Sequence, residues 1–497
     1  MNDFTATTSP GPLRRVVRRG AGALARAQVA SQIISIASLA ILLRLLAPQD
    51  YGLVAMVVPL LLFMRIFTTL GLQFTTVQRG DLSDAEVSAA FWIQLAAGIL
   101  VAITTMALAP WVGWFYGKPE SADTLRNLTV ALAGTSILAA LGAQPQALLE
   151  RRLQMRTLGK IRVIAQLAGA VAAIIAAWRG AGVWALVFQQ YVELAVLAGL
   201  CLAASQFWPA RPPALSGIVR HIQLGGWFAA TTVVLFVGDN LDRVLVGRLV
   251  SAADVGLYSQ AYNLMIKPVY LVTTPLTALA LAALSRAARH PATAQQFIEA
   301  FHRISAIALL PLSLGLALVG SDVMLTLGGE AWRDAGPLLS TLSLGMFAQA
   351  IVVLNGYALM ASGRARACFL VSLLLALTLA AGYFIGWRIG QSYHRPALGI
   401  AGGYAATILL IGLGPHSWIC LRAAGHDPAA VMLTWLPAAL AAIAMAIGVT
   451  AASWLVPRSY PVLQLALQIS VGAATYGWLA RGELRWLTSR LVRGQSD

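Results

Sequence analysis

The sequence is short of charge, and what it lacks narrows the reading before any motif does. Only 11% of its 497 residues are Asp, Glu, Lys or Arg, against roughly a quarter in ordinary soluble domains. Hydrophobic residues make up 59%, more than one water-soluble core could bury. Cysteine is scarce: Cys201, Cys368 and Cys420 each lie in or at the end of an apolar run, with no CxxC or Cys/His spacing. That excludes a disulfide framework and a metal centre and leaves three small buried hydrophobes. There is no Walker A pattern, no G-x-S-x-G and no H-E-x-x-H. Neither ATP hydrolysis nor a recognisable hydrolase chemistry is expected, and the reading assigns no catalytic residue, no metal and no cofactor. No loop is long enough to hold a soluble domain.

What the chain has in abundance is apolar runs. A bilayer core of roughly 30 Å takes about 20 apolar residues per helix. Runs of that kind are read at 28–46, 52–73, 88–109, 126–146, 163–178, 182–204, 224–250, 258–284, 304–320, 336–360, 367–387, 397–421, 430–455 and 461–480. The expected fold is an all-α integral membrane protein of about 14 transmembrane helices. Arg14, Arg15, Arg18 and Arg19 precede the first run, which is too long for a signal-peptide core and lacks an A-x-A cleavage site; it is read as a retained span.

The net charge of +16 would suggest nucleic acid on a soluble protein, but its placement argues for topology. With the N-terminus in the cytoplasm, 23 of the 35 basic residues fall on cytoplasmic segments and 6 on outer loops, as the positive-inside rule demands. One missed span would swap the sides of every later loop. Nucleic acid is therefore not an expected partner. Aromatic residues near span ends (Trp111, Trp114, Tyr116, Trp208, Trp332 and Trp454) are expected as interface anchors.

A short internal similarity marks the two halves. Residues 44–53 read RLLAPQDYGL and residues 248–257 read RLVSAADVGL, with Arg, Leu, Asp, Gly and Leu in common. Both copies sit at the end of a helix and run through a turn into the next. A parallel structural repeat accounts for this, and so does a shared turn solution in which Asp starts the turn and Gly permits it.

The few charges inside the spans gather on five helices: Arg44 and Arg65 on spans one and two, Glu193 on span six, Asp239, Asp242, Arg243 and Arg248 on span seven, and Lys267 on span eight. Such residues are costly in hydrocarbon and normally face a watery interior. Five are basic and three acidic, and a net positive interior suits an anion such as a phosphate. Simpler readings stand beside this one. Arg44 and Arg248, near helix ends, are placed to snorkel. Asp239 and Arg243, spaced i, i+4, are placed to pair. Lys267 precedes Pro268, which frees a carbonyl one turn back.

The stretches RLLAPQDYGLVAMV and GLQFTTVQRGDLSDAEVSAAFWIQLAAG, with FYGKPE at 115–120, ALLERRLQMRTLGKI at 147–161, NLDRVLVGRL at 240–249, GLYSQAYNL at 256–264 and GGEAW at 328–332, resemble the Wzx-type oligosaccharide flippases. These form the polysaccharide transport family, within the superfamily that also holds the multidrug and toxin exporters and the lipid II flippases; the branch with the colanic acid flippase is the most similar. The likeness covers roughly residues 25–420. It implies a MATE-like arrangement: a basic N-terminal segment 1–27, a six-helix lobe 28–205, an inter-lobe loop 206–223, a second six-helix lobe 224–421, two extra helices in 430–480 and a cytoplasmic tail 481–497. It implies translocation of an undecaprenyl-pyrophosphate-linked sugar repeat unit across the bacterial cytoplasmic membrane, with proton or sodium coupling and with a polysaccharide polymerase downstream. By the same resemblance Arg44, Arg65, Arg243, Arg248 and Lys267 would meet pyrophosphate or acidic sugar, and Glu193, Asp239 and Asp242 would be candidates for cation coupling. The competing readings are a multidrug or small-molecule exporter of the same superfamily, for which a net acidic interior is expected, and a membrane polysaccharide polymerase, for which a large outer catalytic loop is expected.

Overall fold

In hydrocarbon every backbone N–H and C=O must be satisfied within the chain, so an apolar sequence of this kind resolves into helices. The computed structural model describes residues 10–69, 72–78, 83–210, 240, 243–287, 291–454 and 461–493, and among them there is no strand. Eleven of its helices are long and apolar enough to cross a membrane, or twelve with one bent pair counted as a span. Every expected span except the seventh falls on a described helix; the seventh, 224–250, lies mostly outside the described residues. The contacts divide the chain into two compact units, Met1–Val237 and Gly238–Asp497.

The first unit holds α1 (Pro10–Leu45), α2 (Pro48–Thr69), α3 (Leu72–Gln78), α4 (Asp84–Tyr116), α5 (Ala122–Ala133), α6 (Thr135–Arg151), α7 (Met155–Trp178) and α8 (Trp184–Ser205). The sequence LSDAE starts α4 with a reciprocal cap: Glu86 N–H donates to Ser83 Oγ, and Ser83 N–H donates to the Glu86 carboxylate at 2.8 Å. The expected fourth span is two helices, α5 and α6, broken at Gly134. A Cβ there would meet the Tyr191 hydroxyl at 2.3 Å, and that hydroxyl donates to the carbonyl of Ala131. The fifth span is longer than expected, because α7 begins at Met155.

The second unit holds α9 (Ala252–Ala287), α10 (Pro291–Gly328), α11 (Ala335–Leu344), α12 (Met346–Ala361), α13 (Ala365–Ser392), α14 (Pro396–Thr407), a π-helical stretch Ile408–His416, α15 (Ser417–Ala424), α16 (Pro428–Leu433), α17 (Leu436–Ala452), α18 (Pro461–Leu479) and α19 (Arg481–Arg493). The expected tenth span is α11 and α12, bent by 46° at their junction. Both copies of the internal similarity make the same turn. A helix ends, a new one starts within a few residues, and Asp50 or Asp254 sits in its first turn. Asp50 accepts from Ala47 N–H at 3.0 Å; Asp254 N–H donates to Ser251 Oγ at 3.1 Å.

Outward faces are apolar. Leu370, Leu374 and Leu377 of α13 are each more than half exposed, which suits a lipid-facing helix. Trp114, Trp208 and Trp454 stand out at helix ends as expected for interface anchors. Two other expected anchors do not: Trp332 is fully buried, and Tyr116 is 4% exposed with its hydroxyl donating to Met56 O at 2.7 Å. Their rings complete the packing under the turns that follow α4 and α10.

Without a hydrophobic drive between helices in lipid, close packing must come from small residues. In the α13–α14 hairpin Gly382 and Gly386 face Gly403 and Gly399, so closely that a Cβ on Gly386 would lie 2.1 Å from the Gly399 carbonyl oxygen. Within the segment expected as a cytoplasmic tail, Arg481–Arg493 is a helix tied to α10 of the same unit. Arg303 of α10 makes a bidentate pair with Glu483 of α19, at 2.6 and 2.8 Å, and lies 4.2 Å from the Trp486 ring centroid.

Two outcomes follow. Gly386→Val should lower the thermal unfolding temperature of the detergent-purified protein, at a cost of about 1–3 kcal/mol or more since backbone opposes the new methyls; an unchanged transition would contradict the contact. Glu483→Gln should destabilise by about 1–3 kcal/mol through loss of a charged hydrogen-bonded pair and should make α19 more sensitive to limited proteolysis, and a wild-type cleavage pattern would count against docking.

Candidate functional site

The first unit holds two of the expected site residues, Arg65 and Glu193. Arg65 lies on α2 just over one turn before the helix ends at Thr69, nearer a helix end than the expected span 52–73 placed it. Its side chain turns into the unit. Nη2 donates to Thr135 Oγ1 at 3.3 Å, and Thr135 Oγ1 in turn donates to Leu132 O at 2.6 Å. The α5–α6 break at Gly134 supplies this arrangement, since it sets a fully buried threonine at the first position of α6. Arg65 Nε is buried and makes no hydrogen bond.

The opposing charge is Glu193 on α8. Gly169 of α7 lets that helix approach, because a Cβ there would lie 2.9 Å from both Gln189 O and Glu193 Cβ. Among the described residues Arg65 and Glu193 do not close into an ion pair, unlike Arg162–Glu150 at 3.2 Å or Arg303–Glu483. Further polar groups line the same interior. Thr76 Oγ1 donates to Gln144 Oε1 at 2.9 Å, while Gln144 Nε2 and Ser136 Oγ are buried without a hydrogen bond. Each such atom costs roughly 1–3 kcal/mol if nothing meets it. Arg65 thus keeps one donor, and Gln144 and Ser136 keep dipoles, that no hydrogen bond meets among the described residues.

In the second unit the Arg243 guanidinium lies 6.0 Å from the Tyr262 ring centroid. Tyr262 stacks on Tyr258 and meets Tyr404 edge-on, and Tyr404 stacks on Tyr383. Lys267, half-buried, is on the same helix as Tyr262. Arg44 and Arg248 sit exposed at helix ends, where the snorkelling reading put them. Asp239 and Asp242, and with them the expected Asp239–Arg243 pair, lie outside the described residues.

Some members of these sites carry no sequence signal strong enough to find them. Thr135 is a neutral residue in an apolar run. Tyr258 and Tyr262 were visible only as an i, i+4 pair inside GLYSQAYNL. His302 falls two residues before the expected ninth span. It is fully buried, its ring is stacked parallel to Trp435 at 5.9 Å, and neither ring nitrogen is hydrogen-bonded. Nearer the end of that unit, burial lowers the proton affinity of His426 from its ordinary value.

Long apolar helices in two units define a multi-pass membrane protein with the fold of known transporters. Solved structures agree on that fold. The chain is similar to the lipid II flippase MurJ in an inward closed conformation, with a TM-score of 0.73 and 11% identity over 93% of this chain and 99% of that one. It is similar to an inward-facing multidrug resistance transporter of the MATE family, with a TM-score of 0.64 and 11% identity over 82% of this chain and 99% of that one. Residues 41–337 match the polysaccharide biosynthesis protein family, and the chain belongs to that family. Among relatives, the teichuronic acid biosynthesis protein TuaB of Bacillus subtilis is 23% identical over 87% of this chain and 88% of its own length. The lipopolysaccharide biosynthesis protein WzxC of Escherichia coli is 20% identical over 75% and 74%. The succinoglycan biosynthesis transport protein ExoT of Rhizobium meliloti is 24% identical over 61% of each.

Removing Arg65 alone should strand Glu193 in the interior, and removing both charges should relieve it. In a double-mutant cycle of Arg65→Ala and Glu193→Gln, thermal stability should show a coupling of about 0.5–3 kcal/mol, with the double variant more stable than Arg65→Ala. Strictly additive effects would mean that the two charges do not sense each other.

Proposed function

We propose that this protein is a flippase that carries an undecaprenyl-pyrophosphate-linked oligosaccharide repeat unit across the bacterial cytoplasmic membrane for exopolysaccharide or lipopolysaccharide synthesis. The observation that carries the reading is the half-buried Arg65, whose Nε donor is buried and unspent, inside a chain of the polysaccharide biosynthesis family. A pyrophosphate and several sugars cannot enter hydrocarbon without losing their hydrogen bonds, at several kcal/mol each. An interior that offers charge and dipoles lowers that barrier, while the polyprenyl tail stays in lipid. In this reading Arg65 and Arg243 meet phosphate oxygens or acidic sugar, with Lys267, Arg44 and Arg248 along the route. The chain is a transporter and not an enzyme, both termini are cytoplasmic, and translocation is coupled to protons or sodium, with Glu193, Asp239 and Asp242 the candidate cation ligands. A polysaccharide polymerase would consume the product.

A second reading, an exporter of small molecules, is favoured by the likeness to the MATE transporter. It calls for an acidic interior to hold cationic drugs; with Arg44 and Arg248 set aside at helix ends, the sequence counts three basic against three acidic residues within the spans, which is not net acidic.

The test is deletion in the host, scoring surface polysaccharide and lipid-linked repeat units by mass spectrometry. Loss of polymer with intact lipid-linked units retained on the inner leaflet is the expected result. Unchanged polymer in a strain with no second flippase would sink the reading in favour of efflux. The Arg65→Ala/Glu193→Gln double variant should reach the membrane at wild-type level and fail to restore polymer.

A further inference from the structure

The last two helices of the second unit bring a cationic surface to the edge of a membrane span. α18 ends at Leu479 and α19 begins at Arg481, with Ala480 between them. The junction is tight: Ala480 N–H donates to Tyr476 O at 2.7 Å, and Leu484 N–H donates to Ala480 O at 2.9 Å. Both helices are held against α10 at a definite depth. The Tyr476 hydroxyl donates to Ile307 O at 2.8 Å, and one turn nearer the start of α10 Arg303 holds Glu483. The apolar run of α10 is read from residue 304. α19 therefore lies where that span leaves the hydrocarbon.

We infer that Trp478, Arg481 and Arg485 form a docking surface for the headgroups of anionic phospholipids at this boundary. The helix sequence RGELRWLTSRLVR carries four arginines and one acid. The acid, Glu483, is only 12% exposed and is tied down by the bidentate pair with Arg303. Leu484 packs onto the core cluster that includes Tyr476 and Ala480, and Trp486 meets the Arg303 guanidinium. Those residues define the docked side. Arg481, Arg485 and Ser489 are exposed, and residues four apart share a helix face. The outward side thus presents two guanidiniums one turn apart, while the one carboxylate of the helix is neutralised on the other side.

The neighbouring aromatic residue points to lipid rather than to a soluble anion. Trp478, in the last turn of α18, is 65% exposed, and the Arg481 guanidinium lies 5.4 Å from its ring centroid. An exposed indole at a span end belongs at headgroup depth. Leu479 beside it is also exposed, so acyl chains find apolar surface next to the arginines. A guanidinium matches phosphate oxygens in a two-pronged fashion, and basic residues directly following a span attract anionic lipid. This surface is separate from the charges within the spans and does not depend on what the chain carries.

The full-length protein, purified in detergent, is mixed with equal amounts of phosphatidylglycerol and phosphatidylethanolamine, and the retained lipid is read by native mass spectrometry. Wild type should retain phosphatidylglycerol in preference. One arginine at an anionic surface is worth about a fivefold change in binding, so Arg481→Gln/Arg485→Gln should lower the preference by up to about thirtyfold. Both side chains are exposed, and the variant should unfold at the wild-type temperature. Arg481→Lys/Arg485→Lys keeps the charge and should keep most of the preference. Added salt should weaken the wild-type preference, because exposed charges are screened. Equal retention of the two lipids by wild type, or an undiminished preference in the Gln variant, overturns the inference and leaves the cationic face to water or to a protein partner. A wild-type preference indifferent to salt overturns it as well, without recourse to any variant.

Discussion

Hydrocarbon accepts no hydrogen bonds, and most features of this structure are responses to that constraint. The backbone satisfies itself by forming helices, and the buried polar side chains are largely turned back onto the same helices. Thr105, Thr129 and Thr273 each donate to the carbonyl four residues earlier. Tyr116 and Tyr476 reach across to the carbonyls of Met56 and Ile307. Such groups are spent. The buried atoms that are not spent, such as Arg65 Nε, Ser136 Oγ, Gln144 Nε2 and the His302 nitrogens, are therefore informative, because a chain with so many ways of satisfying polar groups has left these open. Most such atoms among the described residues belong to the second unit, and Arg65 Nε is the one that belongs to an arginine or lysine.

Much of the fold was legible from apolar run length alone, since a membrane helix announces itself by composition. The breaks were not. Gly134, the 46° bend between α11 and α12 and the π-helical stretch all fall inside runs that read as single spans, because a glycine between apolar residues carries no mark of the tyrosine packed against it. The docked helix α19 was invisible for a related reason: its partner Arg303 is 180 residues away, and charge outside a span reads only as topology. For the site, charge in an apolar run pointed to Arg65 and Glu193, and helix position set them apart from Arg44 and Arg248, which the sequence places near helix ends and the fold leaves exposed there. The aromatic residues failed in the opposite direction: Tyr116 and Trp332 sit near span ends and are nevertheless core.

The two units share a turn and differ in what they surround with it. Asp50 and Asp254 each sit in the first turn of the helix that follows, held by different hydrogen bonds. The first unit then builds its polar interior from a guanidinium, a carboxylate and neutral hydroxyl and amide groups. The second sets its arginine over a ring within a run of four tyrosines. A guanidinium near an aromatic face is attracted by the ring, which offsets part of its desolvation. The two halves thus hold a cation in low dielectric by different means, one with a counter-charge and one with a quadrupole.

The π-helical stretch Ile408–His416 bears on how this chain is compared with its relatives. A π turn holds one more residue than an α turn, so a single deletion there shifts everything downstream by about 100° around the axis. Ser417, which bonds back to Gly412 O and accepts from Asn355 at 2.9 Å, keeps its place only if that extra residue is retained. A relative whose twelfth span is regular α-helix would hold the matching side chain one position away. At 20–24% identity, residue-by-residue correspondence beyond this point is a question of helix geometry before it is one of sequence.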